Sequence, residues 1–154
     1  MSNKNKKEEF VYQSCLLVVR HCKNLIVTGE TSFHTRIFEY ILHPEYDFVG
    51  IGKSVEVALG AKHRKEHIVP CAVMYREVTR LIGEKALSEE EIAKLLQKHW
   101  KVAHITEEQA QLLDIERKMK STMPDGWCFE TGDPMERLHQ AQIEIVRDDF
   151  FPSD

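Results

Sequence analysis

Residues 63–71, which read HRKEHIVPC, hold the side chains of this sequence that are best suited to chemistry. His63 and His67 stand four residues apart, Glu66 directly precedes the second histidine, and Cys71 follows the Ile-Val-Pro run. Histidine titrates near neutral pH, so it can take and return a proton under physiological conditions. A carboxylate beside it is the hard oxygen ligand that Mg²⁺ or Mn²⁺ prefers. The segment is therefore the first candidate for a functional site.

Within that segment, Glu66-His67-Ile68-Val69-Pro70 resembles the first half of the HNH (ββα-metal) nuclease motif. The resemblance implies that Glu66 holds a divalent metal ion and that His67 is the general base. His67 would then deprotonate a water molecule that attacks a phosphodiester. The family's motif closes with an asparagine or histidine and then a histidine on a helix, and no asparagine follows Asn24 in this chain. His63 and His139 are therefore the further candidate metal ligands of a degenerate, HNH-like phosphodiester hydrolase that uses Mg²⁺, Mn²⁺ or Zn²⁺.

A second interpretation of the same segment is a zinc-binding structural domain. His63, His67 and Cys71 stand at positions i, i+4 and i+8, so one continuous helix would place their nitrogen and sulfur ligands on one face. Pro70 weakens this interpretation, because a proline disfavours helical conformation at the residue before it. A helix that begins at Pro70 instead places Cys71 on an apolar stripe with Met74.

A third interpretation assigns no chemistry to the segment. His67 is then a core or capping histidine, and residues 62–66 form a solvated face. The chain would in that case be a non-catalytic helical protein that binds another protein, such as an accessory or inhibitor protein of a bacterium or phage. A homo-oligomer is also compatible with the sequence.

Composition and charge limit the partners that we expect. The 154 residues carry a net charge of −4 at pH 7, which argues against a general electrostatic grip on nucleic acid. The run Lys62-His63-Arg64-Lys65 is the densest basic patch and the candidate contact for nucleic acid. The longest apolar run, residues 15–19, is too short to cross a bilayer, and the first residues do not resemble a signal peptide. We therefore expect a soluble cytoplasmic protein with no membrane partner and no disulfide framework.

Helix starts are the clearest local signals in the chain. The residues of Ser88–Glu91 and Thr106–Gln109 predict capping boxes. In a capping box the side chain of the first residue accepts the backbone N–H of the last, and the side chain of the last accepts the backbone N–H of the first. Asp133 followed by a proline is typical of a third helix start. Further helices are predicted where apolar residues recur at helical spacing or a cap precedes them: residues 9–26, 35–42, 54–61 and 70–83.

Strand signals are fewer and shorter. Residues 46–52 are predicted as a short strand or a tight loop, residues 101–105 as a strand, and the tail from residue 143 as an edge-pairing segment. Residues 119–132 are predicted as a long loop. Together these elements predict a mainly α or α+β fold with about five helices and two or three short strands. Residues 9–154 are expected to form one compact domain, and residues 1–8 a flexible tail.

Overall fold

A four-stranded sheet lies at the centre of the computed structural model, which describes residues 2–30 and 34–148. Its strands are β1 (Gly50–Ser54), β2 (Arg64–His67), β3 (Val102–Ile105) and β4 (Ile145–Arg147). The strand order is β2–β3–β1–β4, in which β1 and β3 are parallel and each edge strand is antiparallel to its neighbour. The predicted strand at 101–105 and the edge pairing of the tail are confirmed. The charged strand β2 was not predicted, because it has no apolar alternation.

Helices account for most of the remaining described residues, and the α+β class that the sequence predicts is confirmed. Among the described residues there are eight helices, of which three are longer than five residues: α1 (Asn3–Thr28), α2 (Ile37–Tyr40), α3 (Tyr46–Val49), α4 (Val55–Ala58), α5 (Cys71–Glu84), α6 (Glu89–His99), α7 (Glu107–Gln111) and α8 (Glu136–Gln140). A π-helical segment, Leu112–Glu116, continues α7. The predicted strand or loop at 46–52 divides into α3 and the start of β1.

Local capping explains where several helices begin. Both predicted capping boxes form at α6 and α7, with the Ser88 and Thr106 hydroxyls accepting the backbone N–H three residues later. Helix α1 begins before its predicted start, because the Ser2 side chain accepts a hydrogen bond from the Asn5 N–H and caps the helix there. Residues 3–8, predicted as part of a flexible tail, are thus the first turns of α1.

Two hydrophobic clusters lie on the two faces of the sheet. The first joins apolar side chains of α1, α5 and α6 with Val102 of β3. The second joins apolar side chains of α7, the π-helical segment and α8 with Ala103 and Ile105 of the same strand. Alternate residues of a strand face opposite sides. The two clusters are therefore separate cores that share the sheet between them.

Arg137 ties α8 to the end of β2. Its guanidinium has no exposed surface, and it donates hydrogen bonds to the carbonyl oxygens of His67 (2.5 Å), Ile68 (3.2 Å) and Met119 (2.8 Å). Its Nη2 also pairs with the Glu66 carboxylate at 3.1 Å. A buried arginine fixes a backbone in this way because its planar group carries five donors in a rigid arrangement.

We expect Arg137→Met to lower the free energy of unfolding by about 3–5 kcal/mol, because it leaves three carbonyl groups and the partly buried Glu66 carboxylate without this arginine. Urea unfolding followed by circular dichroism measures this. Arg64→Met is the matched control, since Arg64 lies 4.0 Å from the same carboxylate but is largely exposed. The control should cost less than about 1 kcal/mol. Equal losses in the two variants would contradict a structural role for the buried arginine.

Candidate active site

The adjacent residues Glu66 and His67, which the sequence predicts to act together, leave β2 on opposite faces of the sheet. Glu66 is paired in register with Ala103, which belongs to the second core, and His67 with Val102, which belongs to the first. Each side chain therefore meets a different set of partners. The structure does not place the two side chains on one face of β2, although both residues line one cleft at this edge of the sheet.

On its face of the sheet, Glu66 is held by arginine. One carboxylate oxygen lies 3.1 Å from Arg137, the other 4.0 Å from Arg64, and the side chain is only 13% exposed. These contacts compensate the negative charge of the Glu66 carboxylate and orient it toward α8.

The other predicted metal ligands lie elsewhere. His63 precedes β2 and packs on the ring of His104, with the ring centroids 4.2 Å apart. His139 is more than half exposed at the end of α8, where its Nδ1 lies 3.7 Å from an Asp133 oxygen. Within residues 2–30 and 34–148, the only group of three ligand-type side chains close enough to share an ion is Asp133, Glu136 and His139. That group contains neither Glu66 nor His63.

A buried carboxylate, Glu45, is the centre of a polar cluster on the other face. Its side chain has no exposed surface. One oxygen accepts hydrogen bonds from His67 Nε2 at 2.8 Å and from Trp100 Nε1 at 2.9 Å, and the other lies 2.7 Å from the Lys65 ammonium. Trp100 is itself fixed in the first core by the edge of Phe38, whose ring centroid is 5.1 Å away. Packing and hydrogen bonding together therefore fix the position of this carboxylate.

The Glu45 carboxylate and the His67 imidazole stabilise each other's charged forms. Burial acts to raise the pKa of Glu45, but its bonds to His67, Lys65 and Trp100 lower it below its usual value. Burial likewise acts to lower the pKa of His67, but its interactions with Cys71 and Glu45 outweigh burial and raise the pKa to about 10. At neutral pH the pair is therefore an imidazolium that donates to a carboxylate.

Cys71 completes the cluster at the first turn of α5. Its side chain is only partly buried, and its interaction with His67 is one of the causes that raise the pKa of that histidine. Together with His67 it lines a cleft of about 430 Å³, within the range of small-molecule sites. Asp114 of the π-helical segment lines the same cleft, and π-helical turns occur frequently at functional sites. The cluster of Glu45, His67 and Cys71 is hereafter called the thiol site.

The thiol site differs from both metal sites that the sequence suggests. His67 and Cys71 interact, but His63 packs against the His104 ring instead, and strand β2 lies where the zinc interpretation needs a helix. Thiol, imidazole and carboxylate are the groups that serve as nucleophile, base and orienting group in cysteine hydrolases. This arrangement can move a proton between the thiol and a reacting group.

Sequence reasoning found His67 but not Glu45. Glu45 stands in HPEY, residues 43–46, where no periodic pattern or charge run singles it out. The one available signal is that a proline directly before it ends any preceding helix. Cys71 was recognised only as a zinc ligand or as a core residue, and it does pack against the first core.

Comparisons of the chain with protein-family models, with curated proteins and with solved structures find no match. No helix among the described residues is long and apolar enough to cross a membrane. Functional inference therefore depends on the geometry of the described residues.

Glu45→Gln should lower the pKa of His67 by about 1–3 pH units, because it removes the negative charge that favours the imidazolium. Titration of the His67 ring by NMR measures this directly. Glu66→Gln is the matched control: it is the same substitution on the adjacent residue, but on the other face of the sheet. An equal fall of the pKa in both variants would contradict the separation of the two carboxylates.

Stability should depend on pH through His67 in a defined direction. Its pKa is about 10 in the folded chain and about 6.5 in the unfolded chain, so its contribution is fully present below pH 6.5. The contribution is lost as pH rises through 10. We expect the difference in unfolding free energy between the wild type and His67→Gln to shrink steadily from pH 6 to pH 10 in urea titrations. A difference in unfolding free energy that stays constant or grows over this pH range would contradict a raised pKa of His67 in the folded chain.

Proposed function

We propose that the protein is a thiol-dependent hydrolase or acyl transferase. Cys71 is the nucleophile, His67 moves the proton, and Glu45 orients and charges the imidazole. The observation that carries the proposal is the position of the His67 ring, which bonds to the buried Glu45 carboxylate at 2.8 Å and lines the same cleft as the Cys71 thiol.

The chemical steps follow from these roles. The Cys71 thiolate attacks an electrophilic carbonyl carbon and forms a carbon–sulfur bond, and the leaving group departs with its electron pair and a proton from the His67 imidazolium. The product is a thioester on Cys71. Water then attacks the carbonyl carbon of the thioester, and His67 accepts a proton from the water. The carbon–sulfur bond breaks, the Cys71 thiolate departs with its electron pair, and His67 keeps the proton as the imidazolium. The acid product leaves and the thiolate–imidazolium pair is restored.

Charge and helix geometry support the nucleophilic role of Cys71. The thiol lies close to one imidazolium, and the Lys65 ammonium lies on the far side of Glu45. Cys71 is also the first residue of α5, a helix of 14 residues whose N-terminal end carries a partial positive charge. Cations and helix N-termini favour the thiolate, which is the reactive form of cysteine.

Metal-dependent phosphodiester cleavage by Glu66 and His67 stays a prediction. The geometry supports it less well, because the two side chains lie on opposite faces of β2 and Glu66 is paired with Arg137. The experiments below separate the two mechanisms by their dependence on Cys71, on Glu66 and on added metal ions.

Cys71 should be the cysteine that iodoacetamide modifies fastest at pH 7. Burial raises the pKa of Cys15 to about 12 and that of Cys22 to about 11, so both should react slowly. Peptide mapping by mass spectrometry gives the rate at each site. His67→Gln should slow modification of Cys71 about tenfold or more, because the imidazolium no longer favours the thiolate. Cys128→Ser should leave the Cys71 rate unchanged.

Catalysis itself is tested with thioester and p-nitrophenyl ester substrates, and with bis(p-nitrophenyl) phosphate in the presence of Mg²⁺, Mn²⁺ or Zn²⁺. We expect ester or thioester hydrolysis that resists EDTA, falls by a factor of about 10³ or more in Cys71→Ser, and persists in Glu66→Gln. Unchanged hydrolysis in Cys71→Ser would refute the thiol mechanism. Phosphodiester cleavage that needs a metal ion and Glu66 would favour the nuclease prediction.

A further inference from the structure

A second cleft, separate from the thiol site, lies between α6 and the loop that precedes α8. Its volume is about 670 Å³, within the range of small-molecule sites. Part of its lining consists of the apolar residues Ile51, Ile68 and Met135, which belong to the second core and are nearly inaccessible to solvent. The cleft is therefore concave and has an apolar wall.

Positive charge is concentrated around this cleft. Four cationic side chains line it, namely Lys94, Lys98, Lys101 and Arg147, against two acidic ones, Glu8 and Asp133. In the part of the chain that the structure describes, Lys94, Lys98 and Arg147 form no ion pair with a carboxylate. Like charges brought together in this way repel each other, and a bound anion would relieve the repulsion. An excess of cations here contrasts with the net charge of −4 on the whole chain.

A buried histidine lies behind the cleft. His99 is fully buried beside α6, and its Nε2 bonds to the Phe129 carbonyl oxygen at 2.6 Å. Burial is the main cause that lowers the pKa of His99 to about 4; the bond to Phe129 and the charge of Asp133 oppose this, and the charges of Lys98 and Lys101 add to it. A neutral histidine therefore lies behind the cleft, and it adds no further charge there.

We propose that this cleft binds a nucleoside polyphosphate. The phosphates would lie against Lys94, Lys98 and Arg147, and the base or ribose over the floor of the cleft, where Ile51, Ile68 and Met135 present their small exposed surface. Lysine ammonium groups bind phosphate as point charges, whereas an apolar wall does not attract inorganic anions. The concave shape and the small number of cations favour a small molecule over a nucleic-acid backbone, which needs a longer basic track. The proposal does not depend on the chemistry of the thiol site.

Isothermal titration calorimetry of the full chain with ATP tests the proposal, with pyrophosphate and adenosine as partial ligands. We expect saturable binding of ATP and weaker binding of both partial ligands. The double variant Lys94→Glu/Lys98→Glu should weaken ATP binding about tenfold or more. Both lysines are exposed, so circular dichroism should show an unchanged fold. Lys62→Glu/Lys85→Glu is the matched control, since it makes the same change in charge away from the cleft and should bind ATP as the wild type does.

Three results would overturn the proposal. The first is no saturable heat when ATP is added to the wild type. The second is an equal loss of affinity in the two double variants, because it would indicate a general charge effect. The third is tighter binding of a single-stranded oligonucleotide than of ATP with the same dependence on Lys94 and Lys98, which would assign the surface to nucleic acid instead.

Discussion

The burial of the Glu45 carboxylate constrains much of the first core. A charge without exposed surface is tolerated only when donors compensate it, and here two elements supply three donors: Lys65 and His67 from β2, and Trp100 from the end of α6. Each donor must therefore reach one point. The position of β2 against β3, the end of α6 and the orientation of the imidazole are linked through this carboxylate. The thiol site is one consequence, because the same contacts hold His67 beside Cys71.

The alternation of side chains along β2 divides its polar residues between the two faces of the sheet. Lys65 and His67 face the first core and Glu45, whereas Arg64 and Glu66 face the side of Arg137 and α8. Arg137 also bonds to the backbone carbonyl of His67, so the two faces meet at the end of the strand. Arg137 thus positions the backbone of His67, whose side chain lies on the opposite face of the sheet.

Local signals in the sequence predict the helices well and the site only in part. The capping boxes of α6 and α7 depend on residues three apart, so the sequence alone reveals them. His67 was recognised because histidine, glutamate and proline stand together. Glu45 was missed because its contact with His67 joins residues 22 positions apart and depends on the sheet register. Strand β2 was missed for a related reason: its four charged or polar residues carry no apolar alternation, and only pairing with β3 makes them a strand.

The place of β2 at the edge of the sheet has a consequence for the behaviour of the protein in solution. An edge strand leaves a row of backbone N–H and carbonyl groups that can pair with a strand of another molecule. Here that strand reads Arg-Lys-Glu-His, and a second copy that docked there would have to desolvate these charged side chains, of which Arg64 and Lys65 already pair with carboxylates of their own chain. The same charged run that first suggested chemistry therefore also protects the sheet against edge-to-edge aggregation.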